Sequence, residues 1–269
     1  MAETAVMLDK SFVQGAKPDD VQSLCRENRA LMPDVLFFEM LSSEEPGRSR
    51  CFAKFPQVEN PVIVVPNVGE LLRYEFEHRR GSGPPSAHAK EIRYRFNPGL
   101  IRADYKLPPE AQSVLDTELH RLEGEVVSFI QMVNTAPRVF PDAFTGTTES
   151  RAEAKRQIEA ELATPEPVIR LYSQLIPPPD FRNPPNPGDI DPSWTLFRSL
   201  QVKLFATLDL AFRYGPIPEV ANGELHTKME HYMLDAQYAM LGALEGGLAS
   251  RDKWMRGMWQ KMCPTGVLM

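Results

Sequence analysis

The segment 230–255, EHYMLDAQYAMLGALEGGLASRDKWM, joins a helical pattern to a strand pattern through two adjacent glycines. Apolar residues recur in its first part with a period near 3.6, which is typical of an amphipathic helix: Leu234, Tyr238, Leu241 and Leu244. The glycines at 246 and 247 permit a positive φ angle, at which helices commonly end. We therefore predict a helix over 224–245, a strand over 248–250 and another helix over 252–262.

Two aspartates bracket this unit. Asp235 lies within the first helix, and Asp252 lies at the carboxyl end of the strand. Ligands of open α/β sheets bind at the carboxyl ends of strands, so Asp252 is a candidate for chemistry. The alternative is that Asp252 only caps the helix that follows, which is a common role for aspartate.

The composition is that of a globular protein without a global preference for polyanions. The chain has 269 residues, of which 42% are hydrophobic, and a formal net charge of -6. Nucleic-acid binding would therefore need a local basic patch. The chain has neither a long apolar run nor an N-terminal signal pattern, so we expect a cytoplasmic protein without a membrane span. The spacing of the three cysteines argues against a structural zinc site or a disulfide framework.

The N-terminal part has the same strand-helix alternation. A buried strand is predicted over 5–8, with Asp9 at its carboxyl end and Ser11 just beyond. Helix 18–27 and strand 30–32 follow. Together with a last strand over 266–269, these elements predict an α/β fold with a parallel central sheet.

Glu39 is the acid within an otherwise apolar run of the next predicted helix, 34–41. Burying a carboxylate among apolar side chains is costly unless it has a partner or a metal. The alternative is that Glu39 points to solvent, as most glutamates do.

The middle of the chain has a different pattern. Helices are predicted over 68–78, 110–133, 148–163 and 193–213. The segment 61–66 fits a short strand or an extended connector, and 81–86 fits a loop or a flexible linker. The proline-rich segment 164–192, which includes Pro177, Pro178 and Pro179, is predicted to be an extended connection.

These patterns divide the chain into three parts. Residues 1–45 and 222–269 form the two halves of an α/β core, and residues 46–221 form a mostly helical insertion with a proline-rich connector.

Four acids have comparable settings in this scheme: Asp9, Glu39, Asp235 and Asp252. In a parallel sheet the carboxyl ends of the strands meet at one edge, which neighbouring helices can also reach. Carboxylates gathered there repel one another and would retain protons without a cation. The cluster therefore indicates Mg²⁺ or Mn²⁺, which could activate water for attack on a phosphodiester.

Three segments resemble the acidic motifs of the PIN-like ribonucleases: AVMLDKSFVQG, LMPDVLFFEML and MLDAQYAMLGALEGGLASRDKWM. In that family the first Asp follows strand one and is trailed by Ser or Thr, and the Glu lies in a helix opened by Pro. Two further acids bracket a helix and a strand; here they are 17 residues apart. The resemblance covers residues 4–45 and 224–269, and the long insertion departs from a compact member.

The resemblance implies a three-layer PIN-like fold and a metal-dependent endoribonuclease. Its catalytic and metal-binding residues would be Asp9, Glu39, Asp235 and Asp252, with Ser11 and Ser250 as polar supports. Products would carry 5′ phosphate and 3′ hydroxyl groups. A toxin or phage-defence role is one setting for such an activity. An inhibitor or other partner protein, and a homo-oligomer, are compatible with the sequence.

Several further residues have open roles. Arg251 beside Asp252 could meet a phosphate or be surface charge, and Lys10 has the same two alternatives. His231 lies one turn before Asp235 and shares its helix face, where a structural role competes with a supporting one. A basic stretch with interleaved aromatics could track single-stranded RNA, or could be a solvated face whose aromatics turn inward; its predicted contact residues are Arg93, Arg95, Arg102 and Lys106.

Two rival functions remain. A non-catalytic PIN-like scaffold would bind protein partners through the helical insertion, and the overall acidity favours it. A phosphatase-like hydrolase would use a similar carboxylate and Mg²⁺ set. The D-x-D pair expected of such an enzyme is absent from this sequence, because the residue two positions after Asp9 is serine.

Overall fold

The computed structural model describes residues 4–174, 184–218 and 223–269. Its described strands form one five-stranded sheet in the order β3-β2-β1-β4-β5, with every neighbouring pair parallel. The strands are β1 (Ala5–Leu8), β2 (Arg29–Pro33), β3 (Ile63–Val65), β4 (Gly247–Ala249) and β5 (Val267–Leu268). The predicted α/β fold with a parallel sheet is confirmed.

Helices cover both faces of the central strands. Consecutive side chains of a strand point to opposite faces, yet Val6, Met7 and Leu8 of β1 are all fully buried. β4 is buried along its whole length as well. Continuous burial of this kind is typical of parallel sheets packed between helical layers.

The described α-helices, in chain order, are α1 (Lys10–Gly15), α2 (Pro18–Glu27), α3 (Asp34–Leu41), α4 (Gly47–Ala53), α5 (Val68–His78), α6 (Pro109–Asn134), α7 (Ala136–Val139), α8 (Thr148–Leu162), α9 (Pro165–Gln174), α10 (Thr195–Tyr214), α11 (Glu224–Glu245) and α12 (Lys253–Met262). None of the described helices is long and apolar enough to cross a membrane.

Helix α11 is the central packing element. It packs against β1, α6, α10 and α12, and its Tyr238 and Leu241 are fully buried. Gly246 ends the helix in the left-handed region, at φ +86°. A Cβ atom on Gly247 would lie 2.2 Å from the carbonyl oxygen of Ala5, so only glycine lets β4 approach β1 here.

Local patterns predicted the regular elements well. Every predicted helix is present with both ends within two residues, and every predicted strand is present. The segment 61–66, left open between strand and connector, contributes β3.

The prediction of an extended connection over 164–192 is wrong for its first part. Residues Pro165–Gln174 form α9, which packs against α10 and buries Val168. Proline is tolerated at the start of a helix, because the first N–H groups need no intrahelical acceptor. Residues 175–183, which include Pro177, Pro178 and Pro179, lie outside the described residues.

The predicted insertion is not separate from the sheet. Its strand β3 pairs in parallel with β2, so the boundary predicted at residue 45 does not coincide with the edge of the sheet. Its helices α6 and α10 contribute to the same buried core as α11. The predicted boundary between residues 221 and 222 lies outside the described residues.

The segment 81–86 is a loop that ends in a short 3₁₀ helix, Pro85–His88, and part of it is buried. Ser82 and Pro85 are buried, and the Ser82 backbone N–H donates to Glu75 Oε1 at 2.9 Å. The alternative of a flexible linker is therefore wrong for this segment.

Candidate acidic site

Asp9 follows β1 directly and caps the short helix α1. Its Oδ1 accepts a hydrogen bond from the Phe12 backbone N–H at 2.6 Å, and its Oδ2 accepts from Ser250 Oγ at 2.7 Å. The side chain is fully buried. Burial raises the pKa of Asp9 to about 6, although these hydrogen bonds act in the opposite direction. A carboxylate is thus held rigidly at the carboxyl edge of the sheet.

Two serines connect Asp9 to Asp252. Ser11 Oγ donates to Asp9 Oδ2 at 2.8 Å and accepts from the backbone N–H groups of Arg251 and Asp252, at 2.9 and 3.0 Å. Ser250 Oγ also accepts from the Asp252 N–H, at 3.1 Å. The hydroxyl groups therefore fix the chain that leaves β4 against the chain that leaves β1.

Asp252 caps the N-terminus of α12, which is the structural role that the sequence analysis gave as the alternative to chemistry. Its Oδ1 accepts a hydrogen bond from the Met255 backbone N–H at 2.7 Å. The same carboxylate contributes a charge that raises the pKa of both Asp9 and Asp235. The two roles are compatible, because a capping carboxylate keeps its charge and its second oxygen.

Glu39 is buried rather than directed to solvent, with 9% of its surface exposed. Its Oε2 accepts a hydrogen bond from the hydroxyl of Tyr238 at 2.6 Å. Its Oε1 lies 3.1 Å from Nζ of Lys10. The cost of burying this acid is offset by one neutral donor and one cation.

Asp235 differs from the other three acids, because no hydrogen bond or ion pair joins its carboxylate to any described residue. Burial raises its pKa to about 8, and the charges of Asp252, Asp9 and Glu39 contribute in the same direction. Lys10 acts against them. The four acids, which come from three distant segments, thus share one electrostatic neighbourhood around Asp235.

The chemistry of these four side chains suits a hard divalent cation, because all of the potential metal ligands are carboxylate oxygens. The carboxylate of Asp235 also has no partner among the described residues. Within the described parts of the chain, however, no group of three or more His, Cys, Asp or Glu side chains is arranged to hold a metal ion. Asp9 and Asp252 bind backbone N–H groups and Glu39 binds Lys10. Gathering these oxygens around one ion requires side chains to turn from their present partners.

The remaining predicted supports lie around this site without entering it. The guanidinium of Arg251 donates to the carbonyl of Gly15, at the end of α1. His231, one turn before Asp235 on α11, is exposed. The side chain of Arg251 is therefore directed to a helix end rather than to a free phosphate position.

The predicted basic stretch is exposed, but its aromatic residues are turned inward. Arg93 Nε lies 3.8 Å from Glu59 Oε1, and Arg102 forms an ion pair with Asp104. Arg95 and Lys106 are exposed. The neighbouring aromatics pack inward. Phe96 is buried among Phe37, Phe52 and Phe55, and Tyr94 donates its hydroxyl proton to the Val62 carbonyl. These rings are not available to stack bases, and the stretch matches the solvated-face alternative.

Two residues of the site had no assigned place in the sequence prediction. The sequence allows Lys10 either a phosphate contact or a place among the surface charges, and its periodicity puts Tyr238 on an apolar helix face. Tyr238 is three residues after Asp235, which is the spacing of neighbours on one helix face. That spacing was a usable signal, whereas nothing local in the sequence relates Lys10 to Glu39.

Comparison with family models, curated proteins and solved structures finds no match to this chain. The resemblance to PIN-like ribonucleases therefore rests on the three acidic motifs, and it stays a prediction.

Proposed function

We propose that the protein is a metal-dependent endoribonuclease that hydrolyses RNA phosphodiester bonds at Asp9, Glu39, Asp235 and Asp252, with Mg²⁺ or Mn²⁺ as cofactor. The observation that carries the proposal is the state of Asp235. Its carboxylate is mostly buried, has no partner among the described residues, and has a pKa raised by burial and by three other carboxylates. Strongly perturbed acids that the fold does not satisfy are typical of functional sites.

A bound divalent cation would supply Lewis-acid stabilisation of the charge that develops on the phosphate oxygens. The chain's own residues would hold the acids in place for this chemistry. The hydroxyl groups of Ser11 and Ser250 orient the Asp9 carboxylate by donating hydrogen bonds of 2.8 and 2.7 Å to its Oδ2. Tyr238 orients Glu39. Water would be the nucleophile, and the buried carboxylates would receive its proton.

Single-stranded or structured RNA is the proposed substrate. The overall charge of -6 opposes binding of a polyanion, so the exposed cations Arg93, Arg95, Arg102 and Lys106 would have to supply the local attraction. Their contribution would be electrostatic only, because the adjacent rings lie in the core. A toxin or phage-defence effector is the proposed setting, since RNA cleavage stops growth.

The direct test is cleavage of end-labelled single-stranded RNA by the purified protein with Mn²⁺. We expect Asp235→Asn and Asp252→Asn each to reduce the rate by at least about a hundredfold, and EDTA to abolish cleavage. Asn at 252 can still cap α12, so the fold should remain. Glu224→Gln, an exposed acid of the same helix as Asp235, is the matched control and should cleave at the normal rate.

A non-catalytic scaffold is the second candidate, and specific contacts favour it. Asp9 and Asp252 serve as helix caps, and Lys10 already neutralises Glu39. In that case these acids would only stabilise the segments that meet at the carboxyl edge of the sheet. Absence of cleavage of RNA and single-stranded DNA, with no Mn²⁺ binding by calorimetry, would select the scaffold over the nuclease.

A further inference from the structure

A cavity of about 230 Å³ lies beside the acidic site, between α8, α10 and α12. Lys253 and Trp254, which directly follow Asp252 in the chain, are part of its wall. Consecutive Cα atoms are about 3.8 Å apart, so the Trp254 Cα lies within about 7.6 Å of the Asp252 Cα. Pockets for drug-sized ligands measure about 300–1,000 Å³, so this cavity has room for a smaller group, such as one planar ring system.

The Trp254 ring is fixed in place although it is only half-buried. Its Nε1 donates a hydrogen bond to Asp209 Oδ2 at 2.8 Å. Its ring centroid lies 4.9 Å from that of Tyr232, in an edge-to-face arrangement. The other two tryptophans, Trp194 and Trp259, are buried in the core. Trp254 is therefore the tryptophan on which a nucleobase could stack.

A glycine keeps part of the cavity wall open. A Cβ atom built on Gly257 would have no other heavy atom within 4 Å, so no packing contact requires glycine at this position. Glycine in the interior of a helix is unfavourable by about 1 kcal/mol relative to alanine. It is used where a ligand approaches the backbone closely, which agrees with the place of Gly257 in this wall.

The charged groups of the wall leave a lysine available to a phosphate. The wall contains three lysines and two acids: Lys155, Lys253, Lys261, Glu159 and Asp209. Lys155 lies 3.0 Å from Glu159 and 2.8 Å from Asp209, and Lys261 lies 2.5 Å from Glu159. Both acids are thus ion-paired and repel an anion less than free carboxylates would. Lys253 is exposed and makes no hydrogen bond or ion pair with a described residue.

We propose that this cavity holds one nucleotide of an RNA strand, with its base against the Trp254 ring and its phosphate beside the Lys253 ammonium. The inference rests on the nuclease function proposed above and names a substrate contact of that site. An aromatic ring together with a cation is the combination by which proteins bind single-stranded nucleic acids. A nucleotide held here would present an adjoining phosphodiester bond to the acids beside Asp252.

The test is binding of a five-nucleotide oligoadenylate to the full-length protein in EDTA, where a metal-dependent nuclease does not cleave it. Fluorescence anisotropy of dye-labelled oligoadenylate measures affinity, and tryptophan emission with unlabelled oligoadenylate measures stacking. We expect saturable binding and a fall in tryptophan emission. Trp254→Ala should weaken binding by at least about fivefold and abolish the fall in emission, whereas Trp254→Phe should retain most of the affinity.

Lys253→Met tests the phosphate contact. It should lower the slope of log Kd against log salt concentration by about one. Arg26→Met removes an exposed cation at the end of α2, just before β2 begins, and is the charge control that should leave the slope unchanged.

Gly257→Leu gives a second, independent test. It should fold, fill the cavity, weaken oligoadenylate binding by at least about fivefold and prevent the fall in emission. Gly124→Leu makes the same change at an open position of α6, outside this cavity, and should bind oligoadenylate normally. Thermal melting checks that each variant is folded.

The proposal is overturned by any of three results: no saturable binding of oligoadenylate, no fall in tryptophan emission at saturation, or normal binding by both Trp254→Ala and Gly257→Leu in folded protein. Failure of the nuclease is a different result, namely binding and stacking as expected but no cleavage of RNA with Mn²⁺. Cleavage of RNA at the normal rate by both folded variants would remove this subsite and leave the nuclease standing.

Discussion

Two carboxylates that are largely removed from solvent, Glu75 on α5 and Asp235 on α11, have opposite surroundings. Glu75 is fully buried and accepts hydrogen bonds from the backbone N–H groups of Ser82, Thr195 and Leu196. It thereby holds the loop after α5 against the first turn of α10, whose N–H groups need acceptors. Asp235 has no such partner among the described residues, and neighbouring acids raise its pKa.

This difference separates a structural acid from a candidate functional one. Burial alone does not distinguish them, because both side chains are removed from most of the solvent. What distinguishes them is whether the fold supplies donors to the carboxylate. Mutations should therefore have effects of opposite sign on stability at the two positions.

The largest expected effect is at Glu75. Glu75→Leu leaves three backbone N–H groups without their acceptor in a buried setting, so we expect the free energy of unfolding to fall by about 4 kcal/mol. Urea denaturation monitored by circular dichroism would measure it. Glu77→Leu, at an exposed position on the same helix, is the control and should change stability by less than about 0.5 kcal/mol. If Glu75→Leu changed stability as little as this control, Glu75 would not be a structural acid.

Asp235→Asn should change the free energy of unfolding in the opposite direction and stabilise the protein. With a pKa of about 8, folded Asp235 must take up a proton at neutral pH that the unfolded chain does not bind. Asn removes this cost, so we expect the free energy of unfolding to rise by about 2 kcal/mol in metal-free protein. A rise in melting temperature of several degrees would accompany it. The comparison fails if this variant is less stable than wild type in EDTA, since that would mean that the Asp235 carboxylate has a structural partner.

The pH dependence of stability should follow from the raised pKa values. In metal-free protein, Asp9 and Asp235 release their protons near pH 6 and 8 when folded, whereas both ionise near 3.8 when unfolded. Because the folded state binds more protons between these values, stability falls as the pH rises from about 4 to about 8. Each pKa unit corresponds to about 1.4 kcal/mol, so we expect a fall of several kcal/mol over this range. Asp235→Asn should flatten the upper part of this curve, and an unchanged curve would contradict the assignment.

The smallest expected effect is at Ser250, which supports a carboxylate that does have donors. Ser250→Ala removes the 2.7 Å hydrogen bond to Asp9, so we expect a loss of about 1 kcal/mol. Chemical denaturation would detect it beside Ser173→Ala, an exposed serine near the end of α9. Equal stability of the two variants would show that Asp9 does not depend on Ser250.

The helices and strands were readable from the sequence because their signals are local. The periodicity around Leu234 and Leu241, the glycine at 246 and the aspartate at 252 each act within a few residues. Helix α9 was missed because the prolines around it suggested an extended chain, while packing of Val168 against the core favours a helix.

The candidate site was only partly readable. Its four acids were selected by their positions after strands and within helices, but their partners were not. The Tyr238 hydroxyl reaches Glu39 across 199 residues of sequence, and Lys10 reaches the same carboxylate from the start of α1. Glu75 had no sequence signal at all, because its donors lie on a distant loop and a distant helix.

The sequence by itself determined the α/β alternation, the parallel sheet and the bounds of most helices, since backbone propensity, periodicity and capping act over short distances. Only the tertiary structure decided which buried acids are satisfied and which are not. Hydrogen-bond donors and opposing charges act over a few ångströms in space, and the chain brings them there from segments that are far apart in sequence.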